Sequence, residues 1–327
     1  MITCDFREDL AQWEVHDPTA ALATWNGRPA IHLSRGQPVL LAEPVLWESY
    51  AVEADVATEG RHGYVGFAFG ARDALNFELV SIYPVNAEGD GEVQYDASIH
   101  GSQTWQVYHQ PAYRRPGIKM APGEWVHLKV VVRPDQAEVY LGDATEPHLI
   151  ISPLMFGRPT GTVGLWGYCP TYVSQFRVTP VVEASAAAPV KAPLPAGTVA
   201  RWEVSDRVGA SAVWRQVPVE ENGTLCLNRL YAMNQGYAVA YARTAVESAS
   251  EREALISVGF SDKLRLSVNG AEVLSAESRW NPPHDDGRIR AGTRTVKVWL
   301  KPGANEILAE VQCTEPPFGW GLALQII

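Results

Sequence analysis

The chain has 327 residues, roughly twice the length of a usual domain, and this predicts two domains. With 11 Trp, 12 Tyr, 27 Gly and 23 Pro, its composition favours β-sheet over helix. The 27 Lys and Arg and 37 Asp and Glu give a net charge of −10, which argues against nucleic acid or an anionic membrane surface as a partner. A neutral, hydroxyl-rich ligand such as a sugar is compatible with this charge.

The N-terminal segment Met1–Phe6 leads directly into strand-like sequence, without the basic and apolar regions of a secretory signal. No stretch of about 18 apolar residues occurs, so the sequence predicts no transmembrane helix. We therefore expect a soluble protein with no membrane partner. A cytoplasmic location follows only by default, and the sequence leaves the location and export route open.

Four cysteines, Cys4, Cys169, Cys226 and Cys313, lie far apart and show no CxxC or metal-ligand spacing. We expect free, buried thiols, because an unpaired cysteine behaves as a small apolar side chain. The alternative is a bridge between Cys4 and Cys169, which lie on what should be the first and last strands of the first domain. Such a bridge would imply an oxidising compartment.

Short apolar segments separated by turn signals recur through the first 180 residues. In 50–56, for example, Tyr50, Val52, Ala54 and Val56 alternate onto one face. The predicted strands are 50–56, 64–70, 76–83, 126–132, 137–141, 161–166 and 173–178. Many short strands without helical segments between them predict a sandwich or jelly roll.

An Ala- and Pro-rich segment without aromatic residues, 181–198, is typical of a semi-extended linker. The region after it again alternates strands with turns. Within that region, Asn269-Gly270 predicts a hairpin turn, because both residues tolerate a positive φ. The sequence therefore predicts an all-β fold class with two β-sandwich (jelly-roll) domains, 1–180 and 199–327.

Two motifs in the first domain carry a family resemblance. Residues 123–130 read GEWVHLKV, and the domain closes with GTVGLW at 161–166 followed by YVSQFR at 172–177. This pattern resembles the concanavalin A-like (LamG-type) lectin/glucanase sandwich, including bacterial domains akin to 3-keto-disaccharide hydrolases. The resemblance spans about residues 1–180 and implies a concave sheet that presents ligand-binding side chains.

The second domain resembles another sandwich. Its segments 258–262, 266–270, 300–306 and 318–321 are similar to the galactose-binding-like jelly roll that is appended to many glycoside hydrolases. Both resembled folds include catalytic, binding and structural members, so the resemblance implies a fold more sharply than a function.

Aromatic, amide, histidine and arginine side chains concentrate in 95–115, which we interpret as one hairpin-like region. Sugar sites combine flat aromatic rings with planar polar groups that bind paired hydroxyls, and the concave face of the first domain is the predicted groove. The alternative is that Trp105 and Val107 simply fill the core. Trp280, in the loop 280–288, is either part of a small sugar-binding loop or packs on a sandwich edge or on the first domain. The predicted ligand-binding residues are Asn76, Gln94, Tyr95, Trp105, Tyr108, Tyr113, Arg114 and Trp280.

A catalytic role is an open alternative. Glucanases of the resembled fold carry Glu-x-Asp-x-x-Glu on one strand, but here Glu53 and Asp55 are followed by Thr58. That departure argues against a retaining glucanase and favours a solvent-side position for Glu53 and Asp55. A carboxylate and a histidine could still form an acid/base pair for hydrolysis or elimination. The candidates are Glu78, Asp96, His100 and His109.

No nucleotide, zinc or other cofactor motif is present, so we expect no cofactor. Structural calcium is common in both resembled folds, and Asp5 is its candidate ligand here. Three functions remain in competition: a protein that binds an oligo- or polysaccharide, a glycoside-active hydrolase or lyase with the same groove, and a structural protein that forms a homo-oligomer.

Overall fold

A computed structural model of the protein describes residues 1–85, 89–232, 238–281 and 284–327. Its contacts divide the chain into two compact units. The first unit comprises Met1–Ser98 and Gln110–Val190, and the second comprises Ile99–His109 and Lys191–Ile327. The second unit thus includes a segment from inside the region that the sequence assigned to the first domain.

The strands of residues 1–180 are short except for the last. They are β1 (Ile2–Cys4), β2 (Trp13–Val15), β3 (Ala21–Trp25), β4 (Arg28–Arg35), β5 (Val39–Leu41), β6 (Tyr50–Thr58), β7 (Tyr64–Asp73), β8 (Asn76–Tyr83), β9 (Gly91–Ile99), β10 (Ser102–Gln103), β11 (Arg114–Ile118), β12 (Val126–Val132), β13 (Ala137–Leu141), β14 (Leu149–Ile151) and β15 (Thr162–Pro180).

The strands after residue 190 are β16 (Arg201–Ser205), β17 (Arg215–Pro218), β18 (Thr224–Cys226), β19 (Ala238–Ser248), β20 (Arg252–Val268), β21 (Ala271–Ser278), β22 (Trp280–Asn281), β23 (Asp285–Asp286), β24 (Arg294–Leu300), β25 (Gly303–Cys313) and β26 (Gly321–Ile326). In the described residues, the helical segments are short 3-10 turns at Pro111–Tyr113, Leu227–Arg229 and Pro316–Phe318. The predicted all-β fold class is confirmed. None of the described helices is long and apolar enough to cross a membrane.

Strand β15 connects the two layers of the first unit. Before its register shift between Tyr168 and Thr171 it pairs with β7 and β5, and beyond the shift it pairs with β6. One layer therefore runs β11–β9–β8–β7–β15–β5–β2, and the other runs β14–β13–β12–β6–β15, all antiparallel. The core lies between them, where Phe67 of one layer meets Phe176 of the other with ring centroids 6.4 Å apart.

Strand β20 has the same role in the second unit. Its first half pairs with β24 and β26, and its second half pairs with β25 and β21. Trp202, Phe260 and Trp320 lie in the buried core of this unit. Asn269 and Gly270 have φ values of 50° and 81° and join β20 to β21, as their sequence predicts.

Part of the predicted linker packs on the first unit. Arg133 donates to the carbonyl of Glu183 at 2.9 Å and to that of Ala184 at 3.1 Å, and the amide of Ala186 donates to the Glu138 carboxylate at 2.9 Å. The boundary between the units follows Val190, inside the segment 181–198. Residues 183–186 are therefore an ordered extension of the first unit, because Arg133 and Glu138 satisfy their backbone groups.

All four cysteines are free thiols. Cys226 and Cys313 are buried, as expected, whereas Cys4 and Cys169 are half-buried. The alternative bridge between Cys4 and Cys169 is not formed. Cys4 lies opposite Phe176 in the β1–β15 ladder, while Cys169 lies in the bend of β15, where its φ is 59°.

Candidate functional site

The residues predicted on β8, β9 and β11 divide between the two faces of one sheet. Side chains alternate along a strand, so Gln94 and Asp96 point to the outer face while Tyr95 points into the core. Arg114 lies opposite Gln94 in the β9–β11 ladder and shares that outer face. The structure therefore brings together Gln94, Asp96 and Arg114, and separates them from Tyr95.

The polar groups of this outer face pair mainly with one another. The Arg114 guanidinium binds both carboxylate oxygens of Glu92, with 2.7 Å between Nη2 and Oε2. Tyr83 donates to the side-chain oxygen of Gln94 at 3.5 Å. Glu92 is completely buried, and Tyr83 and Gln94 are nearly so. These contacts satisfy buried polar groups that would otherwise destabilise the sheet.

Asp96 is the exception on the outer face. Its Oδ2 accepts a long hydrogen bond of 3.5 Å from Gln94, and its buried Oδ1 has no hydrogen-bond partner among the described residues. Desolvation raises the pKa of Asp96 to about 7, although the Gln94 contact acts in the opposite direction. This carboxyl group therefore titrates near neutral pH.

Tyr95, Tyr113 and Glu78 support a loop from inside the first unit. The Tyr95 hydroxyl donates to Glu78 at 2.7 Å and accepts from the amide of Met155 at 2.9 Å. The other Glu78 oxygen accepts from the amide of Phe156 at 2.8 Å. Tyr113 packs edge-on against Tyr95 with 5.2 Å between ring centroids. All three side chains are buried, so they present no open ring or carboxylate to a ligand.

Asn76 lies at the start of β8, in the hairpin after β7. Its side-chain amide donates to both oxygens of Asp73, at 3.0 and 3.1 Å. The Asp73 carboxylate also accepts from the amide of Leu75 at 2.7 Å. Asn76 therefore closes a turn in this structure.

Three other predicted residues hold the segment 99–109 in the second unit. A ring nitrogen of His100 lies 2.8 Å from the carbonyl oxygen of Asn228, and one of His109 lies 2.9 Å from that of Ile289. The buried hydroxyl of Tyr108 accepts from Arg229 at 3.1 Å. Burial lowers the pKa of His109 to about 4. Imidazole and phenol groups here act as anchors for the backbone.

This anchoring corrects the interpretation of 95–115 as one hairpin-like region, because the chain changes unit after Ser98 and again after His109. Glu78 and Asp96 belong to the first unit, whereas His100 and His109 belong to the second. Neither unit by itself contains one of the predicted carboxylate–histidine pairs.

Three aromatic side chains of the second unit form what we call the aromatic cluster: Trp105, Trp280 and Phe318. The ring centroid of Phe318 lies 5.6 Å from that of Trp105 and 6.4 Å from that of Trp280. Trp280 is 52% exposed, and the other two are half-buried. The guanidinium carbon of Arg288 lies 5.6 Å from the Trp105 ring centroid, a cation–π distance.

Two carboxyl groups lie beside this cluster. Glu315 accepts a 3.0 Å hydrogen bond from the amide of Trp280. Asp262 is fully buried and accepts from the amide of Glu315 at 2.6 Å and from the hydroxyl of Ser261 at 2.6 Å. Desolvation raises the pKa of Glu315, and the charge of the Asp262 carboxyl group raises it further.

A short hairpin sets the position of Trp280. Trp280 lies opposite Asp286 in the β22–β23 ladder. The Asp286 carboxylate accepts two hydrogen bonds from Arg290, at 2.9 and 2.8 Å, and one from the amide of Arg288 at 3.0 Å. Pro282 and Pro283 of the predicted loop lie outside the described residues.

Sequence reasoning missed Phe318, Glu315 and Asp262 as members of this site. Trp320, two residues after Phe318, is fully buried in the core. Phe318 is instead held half-exposed by the 3-10 turn Pro316–Phe318. The adjacent prolines were the available signal, since they favour a turn over a strand.

Glu53 and Asp55 lie on the outer face of β6 in the other layer of the first unit. His127 bridges them, with 3.3 Å to Glu53 and 2.9 Å to Asp55. Arg177 binds Glu53 at 2.8 Å, and Arg28 binds Asp55 at 2.7 Å. The hydrogen bond with Glu53 raises the pKa of His127, and the same bond lowers the pKa of Glu53. This row is a network of ion pairs on a half-exposed strand face.

Asp5, the candidate calcium ligand, lies beside a cation in this structure. Asp5 is exposed and pairs with the guanidinium of Arg7 at 2.9 Å. Among the described residues, no three His, Cys, Asp or Glu side chains are close enough together to hold a metal ion. Structural calcium stays a prediction from the family resemblance.

Neither a family model nor a curated protein matches this chain. Similar solved structures include the carbohydrate-binding module CBM66 from Bacillus subtilis, with 15% identity over 49% of this chain and 91% of the module and a TM-score of 0.34. Domain 4 of AbnA, a GH43 extracellular arabinanase from Geobacillus stearothermophilus in complex with arabinotriose, is 20% identical over 49% of this chain and 74% of that domain, with a TM-score of 0.31. The carbohydrate recognition domain of Emp47p is 12% identical over 54% of this chain and 94% of that domain, with a TM-score of 0.41. At these identities and TM-scores, the likenesses give no evidence of what this chain binds.

Proposed function

We propose that this protein binds a glycan and that the aromatic cluster of the second unit is the contact surface. The observation that carries the proposal is Trp280, a large aromatic side chain that is 52% exposed. Phe318 extends the apolar surface, and the carboxyl group of Glu315 lies at its border. Exposed aromatic side chains beside polar groups are typical of ligand sites.

The chemistry of the cluster suits a pyranose ring. The C–H-rich face of a sugar packs on a flat aromatic ring, while its hydroxyls need acceptors and donors at the ring edge. Glu315 provides acceptor oxygens, and Arg288 brings guanidinium donors to the Trp105 ring. Trp105 and Trp280 are both predicted ligand-binding residues, and the ring of each lies near that of Phe318, which supports the proposal.

Binding is better supported than glycoside hydrolysis at this cluster. A glycosidase needs two carboxyl groups that both reach the glycosidic bond. Asp262 is fully buried, and its carboxylate accepts hydrogen bonds from the Ser261 hydroxyl and the Glu315 amide. Asp262 therefore has no access to a sugar that lies on the exposed Trp280 ring.

The outer face of the first unit is the alternative location for glycan binding, as its resemblance to the lectin sandwich implies. Tyr168 supports it, because this side chain is 47% exposed and its ring centroid lies 6.2 Å from that of Tyr64. Tyr64 in turn lies 4.6 Å from Tyr83, next to Gln94. The polar groups of this face are buried, so we rank it second.

A glycan array followed by calorimetry on the bound sugar tests the proposal. Trp280→Ala should weaken binding by about tenfold or more, since a central aromatic anchor contributes on the order of 2 kcal/mol. Tyr168→Ala is the matched control, because it removes a comparably exposed ring from the first unit. If only Tyr168→Ala weakens binding, the site is on the outer face of the first unit.

The function itself is rejected if the intact protein binds nothing on a broad array. If, in addition, its mass measured by light scattering rises with concentration, the structural alternative is favoured, in which the aromatic side chains form contacts between copies. Release of new reducing ends from a bound glycan would instead support the enzyme alternative.

A further inference from the structure

A cleft of about 820 Å³ lies within the first unit, between the end of β11 and the strands β12 and β13. Its floor is apolar, because Ile118, Met120 and Leu141 line it and each is buried. Clefts that bind small molecules commonly have volumes of roughly 300–1,000 Å³ and mostly apolar walls. The cleft is therefore large enough for one or two sugar rings.

The mouth of this cleft carries two exposed cations, Arg115 and Lys119. In the part of the chain that the structure describes, neither side chain forms an ion pair. Two neighbouring arginines already form ion pairs: Arg114 binds Glu92, and Arg28 binds Asp55. Glu124 is the one carboxylate among the residues that line the cleft, and it is exposed. The two cations therefore outnumber the single carboxylate and leave a local positive charge on a chain whose net charge is −10.

Polar and aromatic side chains complete the walls. Trp125 and His148 line the cleft and are half-buried. Desolvation, with a further contribution from the charge of Arg115, lowers the pKa of His148, so its imidazole is neutral at neutral pH. A neutral imidazole can donate to or accept from a hydroxyl group. The cleft thus offers cations, a hydroxyl partner and apolar surface together.

We infer that this cleft binds the carboxylate-bearing unit of an acidic saccharide, a uronic acid. Arg115 and Lys119 pair with the carboxylate, and an arginine can bind it through two parallel hydrogen bonds. Ile118, Met120 and Leu141 contact the C–H face of the ring, and His148 binds a hydroxyl. The inference rests on the proposed glycan function but not on the aromatic cluster, which lies in the other unit.

An NMR titration separates the two sites, because the indole N–H signal of Trp125 reports on the cleft and that of Trp280 reports on the aromatic cluster. The probes are methyl glucuronide and methyl galacturonide, each beside the neutral methyl glucoside or galactoside. We expect a uronide to shift the Trp125 signal and its neutral counterpart to leave that signal in place. Trp125→Phe and Trp280→Phe assign the two signals.

Arg115→Gln with Lys119→Gln should weaken uronide binding by about tenfold or more, since hydrogen bonds between charged groups are stronger than those between neutral groups. The control is Arg61→Gln with Arg252→Gln, which makes the same change in net charge at two other exposed arginines. If the Arg115→Gln/Lys119→Gln variant binds uronides with unchanged affinity, or if uronides and neutral glycosides shift the Trp125 signal equally, the inference is overturned and the proposed function stands. If no saccharide of any kind shifts either signal, both the inference and the proposed function fail.

Discussion

The outer face of the first unit and the aromatic cluster of the second contain the same types of side chain but differ in burial and pairing. On the outer face, Glu92 is completely buried and is bound by Arg114 through two hydrogen bonds. In the cluster, Trp280 is 52% exposed and its ring has only one near aromatic neighbour among the described residues, Phe318. Residue type therefore does not separate a structural network from a proposed binding surface, whereas burial and pairing do.

The physical reason is desolvation. A polar group that is buried on folding must recover its lost hydration energy from partners inside the protein. For Glu92 and Arg114 on the outer face those partners are already present, so a ligand would have to replace them. An exposed ring loses nothing until a ligand covers it, and the covered area then contributes to binding. Three substitutions distinguish these situations.

The largest loss of stability is expected for Arg114→Ala. It leaves the buried Glu92 carboxylate without its cation, and removal of one partner of a buried ion pair costs about 3–5 kcal/mol of unfolding free energy. Urea unfolding of the first unit measures this loss. Arg265→Ala is the control, because its pair with Glu272 is exposed and its loss should change stability much less. Equal effects for the two variants would show that the Glu92 pair is not structural.

Asp96→Asn should change the free energy of unfolding less, and it should raise it at pH 8. Because the pKa of Asp96 is raised to about 7 in the folded state, folding favours its protonated form and stability falls as pH rises from about 4 to 7. Asn cannot ionise, so the variant should be more stable than the parent at pH 8, by at most about 4 kcal/mol, and similar to it near pH 4.

Unfolding midpoints measured between pH 4 and 8 test whether Asp96→Asn is more stable than the parent at pH 8. Asp17→Asn is the matched control, because the buried Asp17 carboxylate accepts backbone hydrogen bonds from Thr19, Ser34 and Arg35 at 2.8–3.0 Å. That variant should be destabilised at pH 8. A loss of stability in Asp96→Asn at pH 8 would mean that the ionised carboxylate has partners that stabilise it.

The smallest effect on stability is expected for Trp280→Ala, less than about 0.5 kcal/mol, because substitutions at exposed positions rarely cost more. Trp320→Ala, in contrast, opens a cavity in the core of the same unit and should cost about 3–5 kcal/mol. Thermal unfolding of both variants measures the difference. A loss of several kcal/mol in Trp280→Ala would assign this side chain to packing and remove the main support for the proposed site.

Much of the fold could be predicted because its signals are local. Alternation of apolar residues in 50–56 corresponds to β6, whose Val52, Ala54 and Val56 are buried while Glu53 and Asp55 are half-exposed. The Asn269-Gly270 turn likewise depends on the φ preferences of two adjacent residues. Such patterns act within one strand or one turn and need no knowledge of distant partners.

The types of residue in the candidate site were partly predictable from the sequence, but which residues lie together in it was not. The sequence identified Trp105 and Trp280 as ligand-binding candidates, yet grouped Trp105 with Tyr95 and Tyr113, which are buried in the first unit. Phe318 joins the cluster only because a 3-10 turn holds its ring between the two tryptophans. Neighbours in sequence were therefore poor guides to neighbours in the site.

By itself, the sequence determined the all-β class, the hairpin at Asn269-Gly270 and the concentration of aromatic and polar residues near position 105, because these follow from local side-chain patterns. Only the tertiary structure decided which unit contains the segment 99–109. His100 and His109 bind carbonyl groups that lie 128 and 180 residues further along the chain. Contacts at such separations depend on how whole sheets pack, and no local pattern encodes them.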